Sequence, residues 1–372
     1  MGKKVKEIAE GLLGKADIII DGNNPWDIRV KNDRFYERVM AEGNLGLGES
    51  YMDGWWESDA IDEMITRILN ARLDKEVKVS ARMAYEYAKA RVVNMQGKTR
   101  AFEIGKRHYD IGNDLYAAML DSRMVYTCAY WNEAQTLNEA QEAKLDLVCR
   151  KIGLKAGDSV LDIGCGWGGF AQYAAEKYGA HVVGITVSKE QAALARKRVE
   201  GLPVEIRLQD YRDVDEQFDH IISLGMIEHV GYKNYRTYME IVSKCLKDGG
   251  FFLIQTIGGL RSVTATDAWI EKYIFPNSML PSVKQIAESI EKLFVLEDLH
   301  NFGADYDKTL MAWYKNFNDG WGSFKQNYSE QFYRMWKYYL LSCAGTFRSR
   351  SNQLWQLVLS KNGVPGGYTA VR

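Results

Sequence analysis

The chain carries almost no net charge. Its 48 Lys and Arg stand against 49 Asp and Glu, a formal −1, so no global field draws nucleic acid to it. It also lacks a cysteine framework. The five cysteines, at 128, 149, 165, 245 and 343, are an odd number without framework or ligand spacing. That excludes a disulfide scaffold and predicts a reduced, cytosolic setting. No metal is expected, because no His/Cys/Asp cluster has ligand spacing. No stretch approaches the ~20 apolar residues of a membrane span. The opening MGKKVKEIAEGLL sets charges inside its only apolar stretch and lacks the Ser or Thr of a myristoylation pattern, so neither a secretory signal nor that lipid anchor is expected. A soluble or peripheral protein is the expectation. Neither an internal repeat nor a low-complexity tract is present. What is there is globular: 46% hydrophobic residues rule out disorder, and ten tryptophans supply a large core with some surplus. At 372 residues the chain has room for two domains or one enlarged one.

From Asp158 onward strands and helices alternate. DSVLDIG (158–164), HVVGITV (181–187), VEIRLQD (204–210), FDHIISLGM (218–226) and GFFLIQTIG (250–258) read as strands. Helices are expected over 168–179, 188–200 with Ser188 as cap, and 235–246. Such alternation implies a parallel sheet. An aromatic-rich insert follows, then a strand at 293–299, helices at 307–318 and 329–350, and a last strand at 354–361. Residues 1–75 read as a small α+β domain, with ADIIIDG (16–22) a strand, NPWDIRVKN a turn and strand, and LGLGESYMDGWWES (45–58) a glycine-rich loop. Residues 67–107 hold eleven Lys/Arg against four Asp/Glu. Within them Val79, Met83, Tyr87 and Ala90 share one helical face, beside Lys78, Arg82 and Lys89. A basic amphipathic helix of this kind can lie on an anionic membrane, or simply pack as a solvated surface helix.

The most informative ten residues are VLDIGCGWGG (160–169). Glycine permits positive φ and close approach of a ligand to the backbone, and the first strand-to-helix turn of an open α/β sheet is where nucleotide-like ligands sit. Asp162, directly before the glycines, would repel a pyrophosphate and suits a cationic ligand. The form D-I-G-C-G-W-G-G resembles the first motif of class I S-adenosylmethionine-dependent methyltransferases, whose cofactor carries a sulfonium and an ammonium.

A closer resemblance extends over nearly the whole chain. IRVKN (28–32), LGLGESYMDGWWE (45–57), HYDIGND (108–114), YTCAYW (126–131), GMIEHVG (225–231), KYIFPNSMLPS (272–282), NFGADYDKTLMAWY (301–314) and FRSRSNQLWQLV (347–358) are similar to the signatures of the cyclopropane-fatty-acyl-phospholipid synthases. The resemblance implies a class I methyltransferase fold, Rossmann-like and α/β, with a mostly parallel doubly wound sheet. It implies an N-terminal lipid-presenting domain (1–75), a basic helical linker (76–100) and a catalytic domain (101–372). The reaction implied is methyl transfer from S-adenosylmethionine to the cis double bond of an unsaturated phospholipid acyl chain, then proton removal to close a three-membered ring. The partner would be an anionic membrane, met peripherally from its cytoplasmic, inner face. The chain leaves room for a homodimer.

An alkene is a poor nucleophile, and its methylation leaves a carbocation, so the site must be dry and must hold one base over the new methyl group. The resemblance makes that base a bound bicarbonate, held by Glu228, Tyr306, the backbones of Cys128 and Ile257, and a position that is histidine in the family and Gln255 here. Glutamine donates and accepts hydrogen bonds but carries no proton. Cys343, in LLSCAGTFRSR, is a weaker candidate for the catalytic set, with core packing as its alternative. His229 is assigned to the Glu228 turn, and His108 to orienting helices near the acyl site. For the cofactor, Gly164 and Gly166 let the backbone approach the methionine moiety, and Tyr126 and Thr127 match family positions reaching the same end. The family pattern assigns the ribose region to Thr186 and Gln191, although Gln191 also reads as a solvated helix residue. Gln209 and Asp210 are placed to read the adenine edge. Two rival readings stay open: a small-molecule N-methyltransferase on the same scaffold, and a non-catalytic lipid-binding protein with a decayed site.

Overall fold

The computed structural model describes residues 2–73 and 112–372. The expected basic helix over 76–100 and His108 lie outside the described residues. The chain forms two compact units. One takes in the N-terminal residues with 265–276 and 306–352, and the other holds 112–264, 277–305 and 353–372. The division therefore differs from a simple N-terminal and C-terminal split: two segments expected within the catalytic part cluster with the N-terminal elements.

The larger unit is built on a seven-stranded sheet. Its strands are β1 (Ser159–Ile163), β2 (His181–Thr186), β3 (Val204–Leu208), β4 (Phe218–Leu224), β5 (Leu246–Gly259), β6 (Val295–Asn301) and β7 (Asn352–Ser360). Their order is β3-β2-β1-β4-β5-β7-β6. The first five run parallel, and β6 pairs antiparallel with β7. Side chains alternate across a strand, and the sequence uses both faces. Leu161, Ile221 and Phe252 enter one core with Tyr238 and Val242. Their neighbours Val160, Ile222 and Leu253 enter the opposite core with Val148 and Phe170. Burial on both faces is why these strands read as apolar runs.

Helix α1 (Leu137–Lys151) opens on a capping box, with Thr136 and Glu139 satisfying each other's backbone N–H. Helices α2 (Gly169–Tyr178) and α3 (Lys189–Arg198) follow β1 and β2, and the Ser188 hydroxyl accepts from Gln191 N, as the sequence reading expects. The strand order reverses between β1 and β4, so a crevice opens at their carboxyl ends.

The smaller unit departs from expectation in two places. Residues 16–22 form no strand; only Ile20 makes an isolated bridge, to Ile28. Asp17 and Asp21 sit at φ 55° and 54°, and the buried Asp27 carboxylate accepts from Ile19 N and Asn24 N at 2.8 Å each. A side chain thus takes backbone donors a ladder would need. The expected glycine-rich loop is instead the helix Asn44–Met52. A Cβ on Gly46 would stand 2.5 Å from Arg38 O, and one on Gly48 2.4 Å from the Trp269 ring. These glycines serve close packing. Trp269 continues into a buried aromatic core with Tyr338, Tyr51 and Trp56. Across the described residues no helix is long and apolar enough to cross a membrane.

Candidate active site

The turn after β1 carries Gly164, Gly166 and Gly168, all at positive φ. At Gly166 (φ 55°) an added Cβ would meet no atom of the chain within 4 Å. Its open side faces a cleft of roughly 1300 Å³, solvent mouth included. All nine expected cofactor residues line this cleft. Asp162, Gly164 and Gly166 come from the first turn, and Tyr126 and Thr127 from the segment before α1. Thr186 and Gln191 follow β2, while Gln209 and Asp210 follow β3. Gln191 is buried, not solvated, and its Oε1 accepts from Thr186 Oγ1 at 2.9 Å. The Asp210 carboxylate accepts from Arg212 N at 2.9 Å and pairs with its Nη1 at 3.0 Å. Gln209 Nε2 donates to Asp213 O at 2.9 Å. Short local bonds of this kind fix the polar rim in advance of a ligand.

Asp162 supplies the cleft's buried charge. Burial pushes its carboxyl up to about 7, and only the Lys144 ammonium is felt in opposition. Its Oδ2 has no hydrogen-bond partner among the described residues. An unsatisfied buried carboxyl is costly, and a cationic ligand group would relieve that cost. His229 lines the same cleft, with burial pushing it down to about 4, so it is neutral at pH 7. Its location is the cofactor cleft as well as the Glu228 turn.

Four of the six residues expected in the catalytic set, Glu228, Ile257, Gln255 and Cys128, form two hydrogen-bonded pairs in the larger unit. Glu228, in the short turn Ile227–His229 beyond β4, accepts at Oε1 from Ile257 N at 2.8 Å. Gln255 Nε2 donates to Cys128 O at 3.2 Å, and Gln255 Oε1 accepts from Gln356 Nε2 at 2.9 Å. Gln255 and Ile257, two apart on β5, share a face. Burial pushes the Glu228 carboxyl up to about 7, and its Oε2 has no partner among the described residues. Tyr306 belongs to the smaller unit, where its ring packs against Trp313 and Phe347. Cys343 is also in that unit, and burial pushes its thiol up to about 12, which keeps it protonated and a poor nucleophile.

The sequence profile described as Mycolic acid cyclopropane synthetase matches residues 96–357. The chain belongs to this family. It is an enzyme, an S-adenosylmethionine-dependent methyltransferase. It is 54% identical over 365 residues to a cyclopropane-fatty-acyl-phospholipid synthase of Escherichia coli, covering 98% of this chain and 95% of that one. It is 35% identical over 358 residues to a tuberculostearic acid methyltransferase of Mycobacterium tuberculosis, covering 90% and 82%. Among solved structures it resembles a cyclopropane synthase of Mycobacterium tuberculosis, with TM-score 0.67, 32% identity, and 70% and 98% of the two chains covered. A mycolic acid cyclopropane synthase complexed with SAH and CTAB gives TM-score 0.66 at 33% identity, with 70% and 98% covered. Coclaurine N-methyltransferase, at 21% identity and TM-score 0.69 over 85% and 99%, shares the fold.

Two residues behind the cleft escaped the sequence reading. On α1, Gln141 and Lys144 are fully buried. Gln141 Nε2 donates to Val125 O at 3.2 Å and Thr127 O at 2.8 Å, and Lys144 Nζ donates to Thr127 Oγ1 at 2.8 Å. The available signal was positional: both stand on the helical stripe of Leu145 and Val148, where apolar residues are expected. Trp167, whose Nε1 donates to Asn113 Oδ1 at 3.1 Å, walls the cleft, and the Tyr116 ring packs tilted against it at 4.8 Å between centroids.

Proposed function

We propose that this enzyme methylates the cis double bond of an unsaturated phospholipid acyl chain and closes it to a cyclopropane. S-adenosylmethionine supplies the electrophilic methyl group and, on the same reading, bound bicarbonate supplies the base that removes the ring-closing proton. The observation that carries the cofactor assignment is the gathering of nine residues around one cleft, with Asp162 Oδ2, which has no hydrogen-bond partner among the described residues, inside it. Asp162 would meet the cofactor's ammonium, Gly166 would admit its backbone-facing edge, and Gln209 and Asp210 would hold the base end.

The bicarbonate reading rests on the family resemblance, and the polar groups around Glu228 support it. Ile257 N–H and Cys128 O are already engaged, with Glu228 and Gln255. Glu228 Oε2 is then the group that would meet the anion, and as a carboxylic acid it donates a hydrogen bond. Its elevated titration, to about 7, keeps much of it in that form at neutral pH. Gln255 would position the Cys128 carbonyl. The resemblance alone adds Tyr306 to the set. Membrane approach from the cytoplasmic side would use the +7 balance of residues 67–107.

Incubation with methyl-labelled S-adenosylmethionine and vesicles of unsaturated phosphatidylglycerol tests the proposal. Label should appear in the acyl fraction as cyclopropane. Label confined to added small amines would favour an N-methyltransferase, and cofactor binding without turnover a decayed site.

A further inference from the structure

We propose that Gln356 is a positioning residue for the base site: its amide fixes which end of the Gln255 side chain faces the Cys128 carbonyl. The inference rests on the reading of Gln255 as part of that site. Gln255 follows Leu253 by two residues on β5, and Gln356 precedes Val358 by two on the neighbouring β7. Leu253 and Val358 enter one apolar core, so both glutamines stand on the same face of the sheet. Both are buried, at 1% and 0% exposure. Gln356 Nε2 donates to Gln255 Oε1 at 2.9 Å, and Gln255 Nε2 donates to Cys128 O at 3.2 Å.

A backbone carbonyl sets the direction of the whole chain of contacts. Cys128 O can only accept, so the Gln255 group against it is the NH₂. Gln255 Oε1 then faces Gln356 and needs a donor there, which fixes the Gln356 amide in turn. Gln356 Oε1 is left with no hydrogen-bond partner among the described residues. A buried acceptor without a donor is unfavourable at a position where an apolar side chain of similar bulk would pack. What the glutamine adds over such a residue is its contact with Gln255. Held this way, Gln255 keeps a second N–H, without an acceptor among the described residues, to offer a bound bicarbonate. It does so two residues along β5 from Ile257, whose N–H meets Glu228.

Turnover on unsaturated phosphatidylglycerol vesicles, in carbon-dioxide-stripped buffer titrated with bicarbonate, tests this in Gln356→Met, Gln255→Met and the double variant. Gln356→Met keeps the bulk and removes the donor. At low bicarbonate its turnover should fall about tenfold, with the half-saturating bicarbonate concentration raised by a similar factor. Its KM for S-adenosylmethionine should stay within about twofold of the parent's. Because Gln356 acts through Gln255, the double variant should be no slower than Gln255→Met alone. Gln356→Leu, likewise without a donor, carries the test if Gln356→Met does not fold. A residue that only fills the core would leave Gln356→Met at parental turnover, or would make the losses of the two single variants multiply; either result overturns the proposal. Parental turnover in Gln255→Met would remove Gln255 from the base site and this inference with it. A parent indifferent to bicarbonate would remove the bicarbonate reading alone, and the comparison of single and double variants would still decide the role of Gln356.

Discussion

Gly166→Val separates ligand approach from backbone strain. Gly166 sits at φ 55°, where a side chain costs about 1–2 kcal/mol. The structure supplies an internal control. Gly201, in the turn between α3 and β3, has φ 81°, and an added Cβ there also meets nothing within 4 Å. Both valine variants therefore bear left-handed backbone strain with no clash at Cβ. Against the ~5–15 kcal/mol of a folded domain, either should remain folded. They differ in what the open space is for: at Gly166 it is the cleft, at Gly201 it is solvent. An isopropyl group there should hold the cofactor off the backbone and lower affinity at least about a hundredfold, ~2.7 kcal/mol. Calorimetry with S-adenosylmethionine, paired with thermal unfolding, reads both effects. Gly201→Val should bind like the parent after a comparable fall in melting temperature. Equal affinities in the two variants would refute the assignment of this turn to the cofactor.

Glu228→Gln should stabilise the cofactor-free protein on the alkaline side. A carboxyl raised from 4.5 to about 7 holds its proton more tightly in the native state, so its contribution is greatest in acid and is lost as pH rises through 7. Urea titrations at pH 5 and pH 8 should show the variant's advantage growing by up to ~3 kcal/mol; a constant difference contradicts the burial argument. Glu228→Ala additionally strips Ile257 N–H of its acceptor, at about 1–3 kcal/mol, and should cut turnover about a hundredfold or more while cofactor affinity persists. Tyr306→Phe should slow turnover and recover in part with added bicarbonate; full activity removes Tyr306 from the set. Gln255→His offers two ring nitrogens to the partners Cys128 O and Gln356 Nε2 and should stay active, whereas inactivity would show that the amide pairing itself is required. Replacing Lys78, Arg82 and Lys89 by glutamine should weaken sedimentation with anionic vesicles and its salt dependence, and unchanged sedimentation would remove the basic stretch from membrane binding.

The parallel sheet was legible because its strands are continuous apolar runs broken by glycine and capped helices. Each of its first five strands lies within a residue or two of expectation except β5, which begins at Leu246, ahead of the glycine pair 249–250. The cleft was legible for the same reason: Asp162, Thr186, Gln209 and Asp210 all fall at or just beyond strand ends. What misled was local chemistry without tertiary context. Ile18–Ile20 look like a strand, but Asp27 takes the backbone donor of Ile19. Gly46 and Gly48 look like a loop until Trp269, over two hundred residues on, is seen against them. Lys144 and Gln141 were missed because a polar residue on an apolar stripe announces a partner without naming it; that partner, Thr127, lies on another segment.

Mass spectrometry of membrane lipids from cells with and without this chain tests the central claim most directly. Methyl transfer followed by proton loss leaves one CH₂ on each modified acyl chain, so unsaturated phospholipids should shift by ~14 Da, with cyclopropane protons in the product. The shift should vanish in the Gly166→Val and Glu228→Ala variants. Unsaturated acyl chains unchanged in mass in the presence of folded, cofactor-binding protein would contradict the account.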